Sequence, residues 1–542
     1  MAKTDYSTKG QDAEHDPLRP DALRRRYDRL RSQRSSWEAL WQDCYDYSLP
    51  ARRPGQAPGG SNTGSSSGRV AERLFDATAA DAAEQLAATL LAQLTPPWSR
   101  WFAFQPGRDV PEEQRGAMAS DLDRAAELLQ AQFDRSNLAV ELHQAMLDLV
   151  VAGTACLACE EAPLGEASAF RFSAVPLSDL VLDESGSGRL DTVFRRQELT
   201  LEQLGQRYPV LEQQVWFTSR RQREPDARLA ILDCLLPAPA PRHGYLFATV
   251  LEDSVLTEEA RLLTAGRFDQ APFIAFRWLK APGEIYGRSP VMKALPDIKT
   301  ANKTVELVLK NASIAVTGIW QADDDGVLNP ANVKLVPGAI IPKAVGSSGL
   351  TPLAAPGRFD ISQIVLEDLR GRIRHALLAD RLGQVDAPRM TATEVMERSA
   401  EMARQLGATF GRLQSELLTP LLLRSVAILQ RRGEIPRFAL DGREVVLVQQ
   451  SPLARLQAQG DVQGVLSWLQ QLQALGPAAL QVVDSVAVAR WLGRTLGVPG
   501  EFLIEAGEAN PEAAPSDAAL PQLQQMLQQL GGAQQPTAGA AP

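Results

Sequence analysis

The chain has 542 residues, 44% hydrophobic and 22% charged, with a net charge of −9 and a pI near 5.3. This composition excludes a collagen-like or wholly disordered chain and gives length for several domain-sized units. The acidic balance argues against a free-standing duplex-DNA binder, which carries a basic domain, but not against a protein that lets DNA pass without gripping it.

Residues 1–19 are polar and read as a disordered N-terminus. A helix is predicted from Pro20 to Pro50, with Leu23, Tyr27, Leu30, Trp37, Trp41 and Cys44 on one face. Its other face carries Arg24, Arg25, Arg29, Arg31 and Arg34, read as solvated, with nucleic-acid contact the alternative. The Gly/Pro/Ser-rich stretch 51–68 is a loop, and no Gly-Lys-Ser/Thr follows it to make a phosphate cradle. A second helix is predicted from Arg69 to Leu94, stopped by Thr95-Pro96-Pro97, and WSRWFAF (98–104) suits a strand. A helix pair should fill Pro111 to Ala152.

From Cys156 to Phe276, short alternating segments predict antiparallel sheet, with one helix embedded near Thr200–Tyr208. A helical stretch opens at Gly287–Pro290 and runs to Ala315, with Pro296 expected to break it. On it, Lys299, Lys303, Glu306 and Lys310 form a polar stripe, and Ile298, Val305, Val308, Leu309 and Ala312 an apolar one. Residues 317–358 read as strand and turn, and 360–382 as helix. A long helix follows Thr391 or Thr393, with Pro420 expected to kink it. PRFALDGREVVLVQQ (436–450) reads as a hairpin, 452–507 as helical, and the last 31 residues as disordered, with a marginal helix at Leu520–Leu530.

Catalytic signatures are missing. There is no GxxxxGK[ST], no GxGxxG after a strand, no GxSxG and no HExxH. Cys156-x-x-Cys159 lacks the second pair of a zinc ribbon and reads as two buried small residues. Asp323-Asp324-Asp325-Gly326 has consecutive acids and Lys334 where a calcium loop needs its last carboxylate, so it reads as a turn. No metal, cofactor or catalytic residue is expected. The four cysteines are too few for a disulfide framework. The polar N-terminus has no signal-peptide core, and no run is apolar over the roughly 20 residues of a membrane span, so no membrane partner is expected.

The fold class expected from these elements is α+β, mainly α. Two helices flanking a small strand module, followed by a very long helix, form an architecture suited to packing against copies of itself in a ring.

The sequence resembles the portal (head-to-tail connector) proteins of short-tailed, podovirus-type bacteriophages, the T7-like group. RRRYDRLRSQRSSWEALWQDCYDYSLP (24–50) and RLFDATAADAAEQLAATLLAQLTPPWSRWF (73–102) resemble that family's opening helices. GEIYGRSPVMKALPDIKTANK (283–303) resembles the segment entering its stem, and RMTATEVMERSAEM (389–402) the start of its long helix. SPLARLQ (451–457) resembles the approach to its C-terminal region.

The resemblance implies a portal architecture of wing, helical stem, strand-rich clip and helical crown, in a ring of about twelve subunits. It places the wing at 20–287, stem helices at 288–316 and 359–381, and the clip at 317–358. The tunnel loop falls at 382–392, the long helix and wing return at 393–450, the crown at 451–511 and a disordered tail at 512–542. It implies a virion protein at one capsid vertex, assembled in the bacterial cytoplasm, for genome packaging, head-to-tail joining and DNA ejection. Its partners would be the major capsid protein and scaffold, the terminase large subunit, a tail adaptor, and double-stranded DNA held without sequence preference.

Arg381, Gln384 and Arg389 would touch passing phosphates, or bridge subunits; Lys299, Lys303 and Lys310 would face the channel or neighbouring subunits. Gly318, Trp320, Asp323, Asp324 and Asp325 would meet terminase or adaptor. Residues 451–542 hold seven Asp/Glu against three Arg, as a non-adhesive channel mouth requires. The alternatives are another virion assembly protein without a channel, and an enzyme using Cys156/Cys159 or a carboxylate cluster.

Overall fold

The computed structural model describes residues 17–50, 52, 74–97, 99–239, 243–253, 256–317, 320–322, 350–352, 359–379, 407, 409–450, 462, 464–472, 483, 488–489 and 491–493. The chain divides into two compact units: one of residues 1–100 with 129–435, the other of 101–128 with 436–542.

Helix α1 spans Pro20–Ser48, with Pro at its first position, where the missing N–H costs no bond. Helix α2 spans Thr78–Leu94. It starts later than Arg69, and residues 74–77 are not helical. Asp76 is the reason: its carboxylate accepts the Thr78 N–H (3.0 Å), while the Phe75 and Asp76 N–H groups donate to Asn302 (2.7 and 3.2 Å). Strand β1 (Phe102–Pro106), helix α3 (Glu112–Arg135) and helix α4 (Leu138–Ala152) follow. Gly153 ends α4 at φ +77°, and a Cβ there would strike the backbone of Gly287. Only glycine permits both the turn and this crossing.

The strand region is antiparallel throughout, as its alternation predicts. Strands β2 (Thr154–Glu161) and β3 (Phe170–Ala174) come first, then β4 (Leu180–Glu184) and β5 (Leu190–Thr200). Helix α5 (Leu201–Arg207) is fastened by a capping box between Thr200 and Gln203. Helix α6 (Val215–Arg223) was not legible, because its apolar residues are consecutive and it buries only Phe217. Strands β6 (Arg228–Pro237) and β7 (Tyr245–Leu251), the one-turn α7 (Glu258–Arg261), β8 (Leu262–Phe268) and β9 (Phe273–Arg277) complete it. The order is β4-β5-β6-β7-β8 in one sheet and β3-β2-β9 in another.

The five-stranded sheet is covered on both faces, so its strands carry apolar side chains on both. Leu232, Cys234 and Leu236 of β6 join Val181, Phe194, Ala248 and Val250 under Leu23, Tyr27 and Leu30 of α1. Leu229, Ile231 and Leu251 turn the other way, against Leu201, Leu204, Leu211 and Phe217. This period of two is the pleat of the strand. Arg34 departs from the solvated face expected for it: it is buried, and its guanidinium donates to the Leu177, Leu180 and Ser178 carbonyls and to Glu38.

Helix α8 (Pro290–Thr317) runs straight through Pro296, against expectation. Proline removes one bond to the preceding turn and crowds its carbonyl. Here burial of Val291, Ala294, Leu295, Ile298 and Ala301 around the proline offsets that loss. Strands β10 (Trp320–Ala322) and β11 (Leu350–Pro352) pair antiparallel, and α9 spans Phe359–Ala376, ending before 382. A π-helical turn (Gln414–Leu418) leads into α10 (Thr419–Arg432), so the irregularity sits just before Pro420.

In the second unit, β12 (Val445–Gln449) pairs with β1, from Phe102↔Gln449 to Pro106↔Val445. The expected local hairpin is thus replaced by a long-range ladder. Within 452–507, the described residues 462, 464–472, 488–489 and 491–493 are helical. Of the N-terminus expected to be disordered, residues 17–19 are ordered, with Leu18 packed against the cluster under α1 and the Arg19 carbonyl accepting the Leu23 N–H; residues 1–16 and the expected disordered tail lie outside the described residues.

One buried group predicts a pH effect. Asp148 on α4 accepts from the Tyr45 hydroxyl (2.7 Å) and pairs with Arg52 (3.1 Å). Burial pushes its carboxyl up to about 6, against the pull of Arg52 and the Tyr45 hydrogen bond. The folded chain therefore holds this proton at a pH where the unfolded chain has lost it. The stabilising contribution is complete below pH 4 and is lost as pH rises through about 6. Asp148→Asn should remove this dependence, on the order of 3 kcal/mol between pH 4 and 7. Urea unfolding of both proteins across that range checks it; equal pH dependence would discount Asp148 as the cause.

Candidate functional site

Of the residues that the sequence marks for function, Lys299, Lys303 and Lys310 lie on α8, the partner helix of α9. Ser289 starts α8: its hydroxyl accepts the Met292 N–H and donates to the Val151 carbonyl, both at 2.8 Å. The two helices run antiparallel, with Arg372 near the end of α9 facing Asp297 near the start of α8 (3.7 Å).

Their shared base is tied to α2 by a polar cluster. Arg370 of α9 donates to Asp76 (2.9 Å), and Asn302 of α8 takes the two N–H groups ahead of α2. Burial alone would raise the Asp76 carboxyl; the Thr78 hydrogen bonds and the Arg370 guanidinium outweigh it and hold the carboxyl below its ordinary value. Ile298, Ala301, Leu369, Ile373 and Leu377 are buried around this cluster.

Beyond Asn302 the burial stops. Leu307 is 50%, Leu309 52% and Ile364 72% exposed, and Val305, Val308 and Ala312 are only half-buried. The apolar stripe expected on α8 is therefore buried at Ile298, half-buried at Val305, Val308 and Ala312, and exposed at Leu309.

The predicted lysines are not equivalent. Lys299 donates to Asp43 of α1 (2.7 Å), with its ammonium 5.5 Å from the Tyr47 ring centre. Lys303 and Lys310 both reach Glu306, at 3.0 and 2.6 Å. Their hydrogen bonds, that of Lys310 foremost, hold the Glu306 carboxyl below its ordinary value. The stripe thus brings Lys303 and Lys310 together around one carboxylate, and Lys299 belongs to a separate pair. Trp320 lies in β10. Gly318, Asp323, Asp324, Asp325, Arg381, Gln384 and Arg389 lie outside the described residues.

A second cluster escaped sequence reasoning. Arg277 at the end of β9 is fully buried. Its guanidinium bonds Glu416 (2.6 Å), Glu184 (2.8 Å) and the carbonyls of Ile285 (3.0 Å) and Gly188 (3.2 Å). Glu416 lies on the π-helical turn, where it also accepts from Arg412 (3.2 Å), while Lys280 reaches Glu184. Burial raises the Glu184 carboxyl, but Lys280 and Arg277 hold it below its ordinary value. An arginine ending an apolar strand was the only available signal, and its partners lie 93 and 139 residues away.

Cys156 and Cys159 sit buried in β2 as free thiols. Three residues apart on a strand, they point to opposite faces, so they do not form a chelating pair. Burial pushes both thiols up to about 12, the reverse of what a nucleophile requires. Among the described residues, no group of His, Cys, Asp and Glu is placed to hold a metal, and no helix is long and apolar enough to cross a membrane.

A family model described as bacteriophage head to tail connecting protein matches residues 20–503. The chain is 25% identical over 509 residues to a probable portal protein of Bordetella phage BPP-1, covering 88% of each. It is 23% identical over 508 residues to a portal protein of Salmonella phage epsilon15, covering 87% of each. It is 21% identical over 444 residues to a portal protein of Enterobacteria phage T3, covering 80% of this chain and 79% of that one.

Proposed function

This chain belongs to the family of bacteriophage head-to-tail connecting proteins, and from that premise we propose that about twelve copies close into a ring around a DNA channel at one capsid vertex. The observation that carries this reading is the uncovered apolar surface of α8 and α9 beyond Asn302. Leu307, Leu309, Ile364 and Val365 are exposed on the single chain, and a neighbouring helix pair can cover them. The same surface repeated about one axis gives a closed, head-to-tail contact.

In this reading α8 and α9 are the stem, and 317–358 is the clip that docks the terminase motor and later the tail adaptor. The wing is 20–287 with 393–450, meeting capsid protein and scaffold; the tunnel loop is 382–392, and the crown 451–511. The role is structural, with ATP hydrolysis left to the motor, and DNA contact is backbone-directed and weak. Lys303 and Lys310 share Glu306, so the stripe offers DNA less than its three lysines would suggest. That suits a duplex that must slide, since affinity rises steeply with each phosphate neutralised.

Native mass spectrometry of the purified chain tests the reading. A closed species near twelve times 58.9 kDa is expected. A monomer that forms no ring on concentration or with scaffold protein would overturn it.

A further inference from the structure

The two larger sheets have four outer edges, and the chain closes three of them itself. On an antiparallel edge strand, every second residue turns its N–H and C=O away from the sheet. On β4, the Leu180 carbonyl accepts from Arg34, and the Leu182 N–H donates to the Tyr286 hydroxyl (3.2 Å). On β3, the Asn137 side chain takes both the N–H and C=O of Phe172 (2.9 and 2.8 Å), and Glu141 takes the Ala174 N–H (2.8 Å). On β9, Glu416 takes the Arg277 N–H (3.0 Å), and Phe273 and Ala275 are buried.

The fourth edge, β8, is different. The Glu252 N–H donates to the Ala230 carbonyl, so even-numbered residues of β7 face β6 and odd-numbered ones face β8. Thr249, Phe247 and Tyr245 are thus paired with Thr264, Gly266 and Phe268. Ala265 and Arg267 must direct their N–H and C=O outward. Both residues are exposed, and among the described residues nothing bonds these four groups.

We propose that β8 is a docking edge, where an extended segment of a different protein adds as a sixth strand through the main-chain groups of Ala265 and Arg267. A row of unpaired amides and carbonyls at strand spacing is matched by another strand, which supplies both donors and acceptors at that spacing. Pairing of β8 with β8 of a second copy would be two-fold and would stop at a dimer, whereas copies in a ring share one rotation axis. This step rests on the ring reading above. The other edges of these two sheets are closed on every copy. Across the new pairing, small Ala265 leaves room for a large side chain, and the Arg267 guanidinium favours a carboxylate.

Residue-resolved hydrogen exchange on the full chain, purified and then assembled in particles, tests the proposal. The Ala265 and Arg267 amides should exchange about fivefold more slowly in particles, as one added hydrogen bond of ordinary strength implies. The Thr264 and Gly266 amides, already bonded to β7, should not change. Ala265→Pro removes only an outward N–H, a position where an edge strand tolerates proline. The variant should keep its native mass and circular dichroism but lose incorporation into particles. Equal exchange in both states overturns the proposal. Protection already present in the purified protein also overturns it, by making the occupant this chain. Native mass on the same sample separates a failed ring from a failed edge.

Discussion

Replacing Arg277 with Met should destabilise the fold by about 3–5 kcal/mol, the range for removing one partner of a buried ion pair. The side chain is only 1% exposed, and its two carboxylate partners, Glu184 and Glu416, are 16% exposed. Methionine fills much of the space but leaves Glu416 with Arg412 and the residue-277 N–H in place of a guanidinium fork, and leaves the Gly188 and Ile285 carbonyls without this donor. Arg277→Lys keeps the charge but not the planar fork, so it should recover only part of the loss. Thermal and urea unfolding of the three proteins measures this. A Met variant within 1 kcal/mol of the parent, with an unchanged urea slope, would show that the network contributes little.

The second large effect concerns assembly. Ile364→Asp together with Leu307→Asp should leave the subunit folded and abolish the ring. Both side chains are at least half exposed in the single chain, so the change costs the isolated fold little. In a ring, each junction would bury carboxylates without partners, at several kcal/mol apiece, and the penalty recurs at every subunit. Native mass should fall to the monomer while circular dichroism stays that of the parent. Persistence of the ring would remove Leu307 and Ile364 from the contact. The less exposed Ile298 and Ile373 should behave oppositely, unfolding the base itself when made acidic.

Much of the architecture was legible because it is local. The period near 3.6 in Leu23, Tyr27 and Leu30, and the alternation in β5 to β7, are consequences of helix and strand geometry alone. Thr200 and Gln203 sit three residues apart, so their capping box could be placed without a fold. The buried cysteines of β2 followed from the company they keep. Family membership was legible for a related reason: the order and spacing of the stretches between residues 24 and 457 survive where individual residues do not.

Errors arose where a distant partner intervened. Asn302 takes the Phe75 and Asp76 N–H groups and Asp76 takes that of Thr78, and α2 begins only there. Burial around Pro296 carries α8 through a residue that should have broken it. Strand β12 finds β1, more than 330 residues earlier, and not a neighbour across a short turn. Arg34 reads as one more basic residue on a solvated face until the carbonyls ahead of β4 close around it.

By itself the sequence determined the secondary structure of most of the described chain, its family, and the lack of recognised catalytic motifs, since each depends on residue type and short spacing. Only the tertiary structure decided which charges pair, which strand edges are closed and which apolar residues stay uncovered. Those depend on what a residue meets across the fold. Lys299 on Asp43 and Glu416 on Arg277 are separated by 256 and 139 positions, and no local pattern encodes such a meeting.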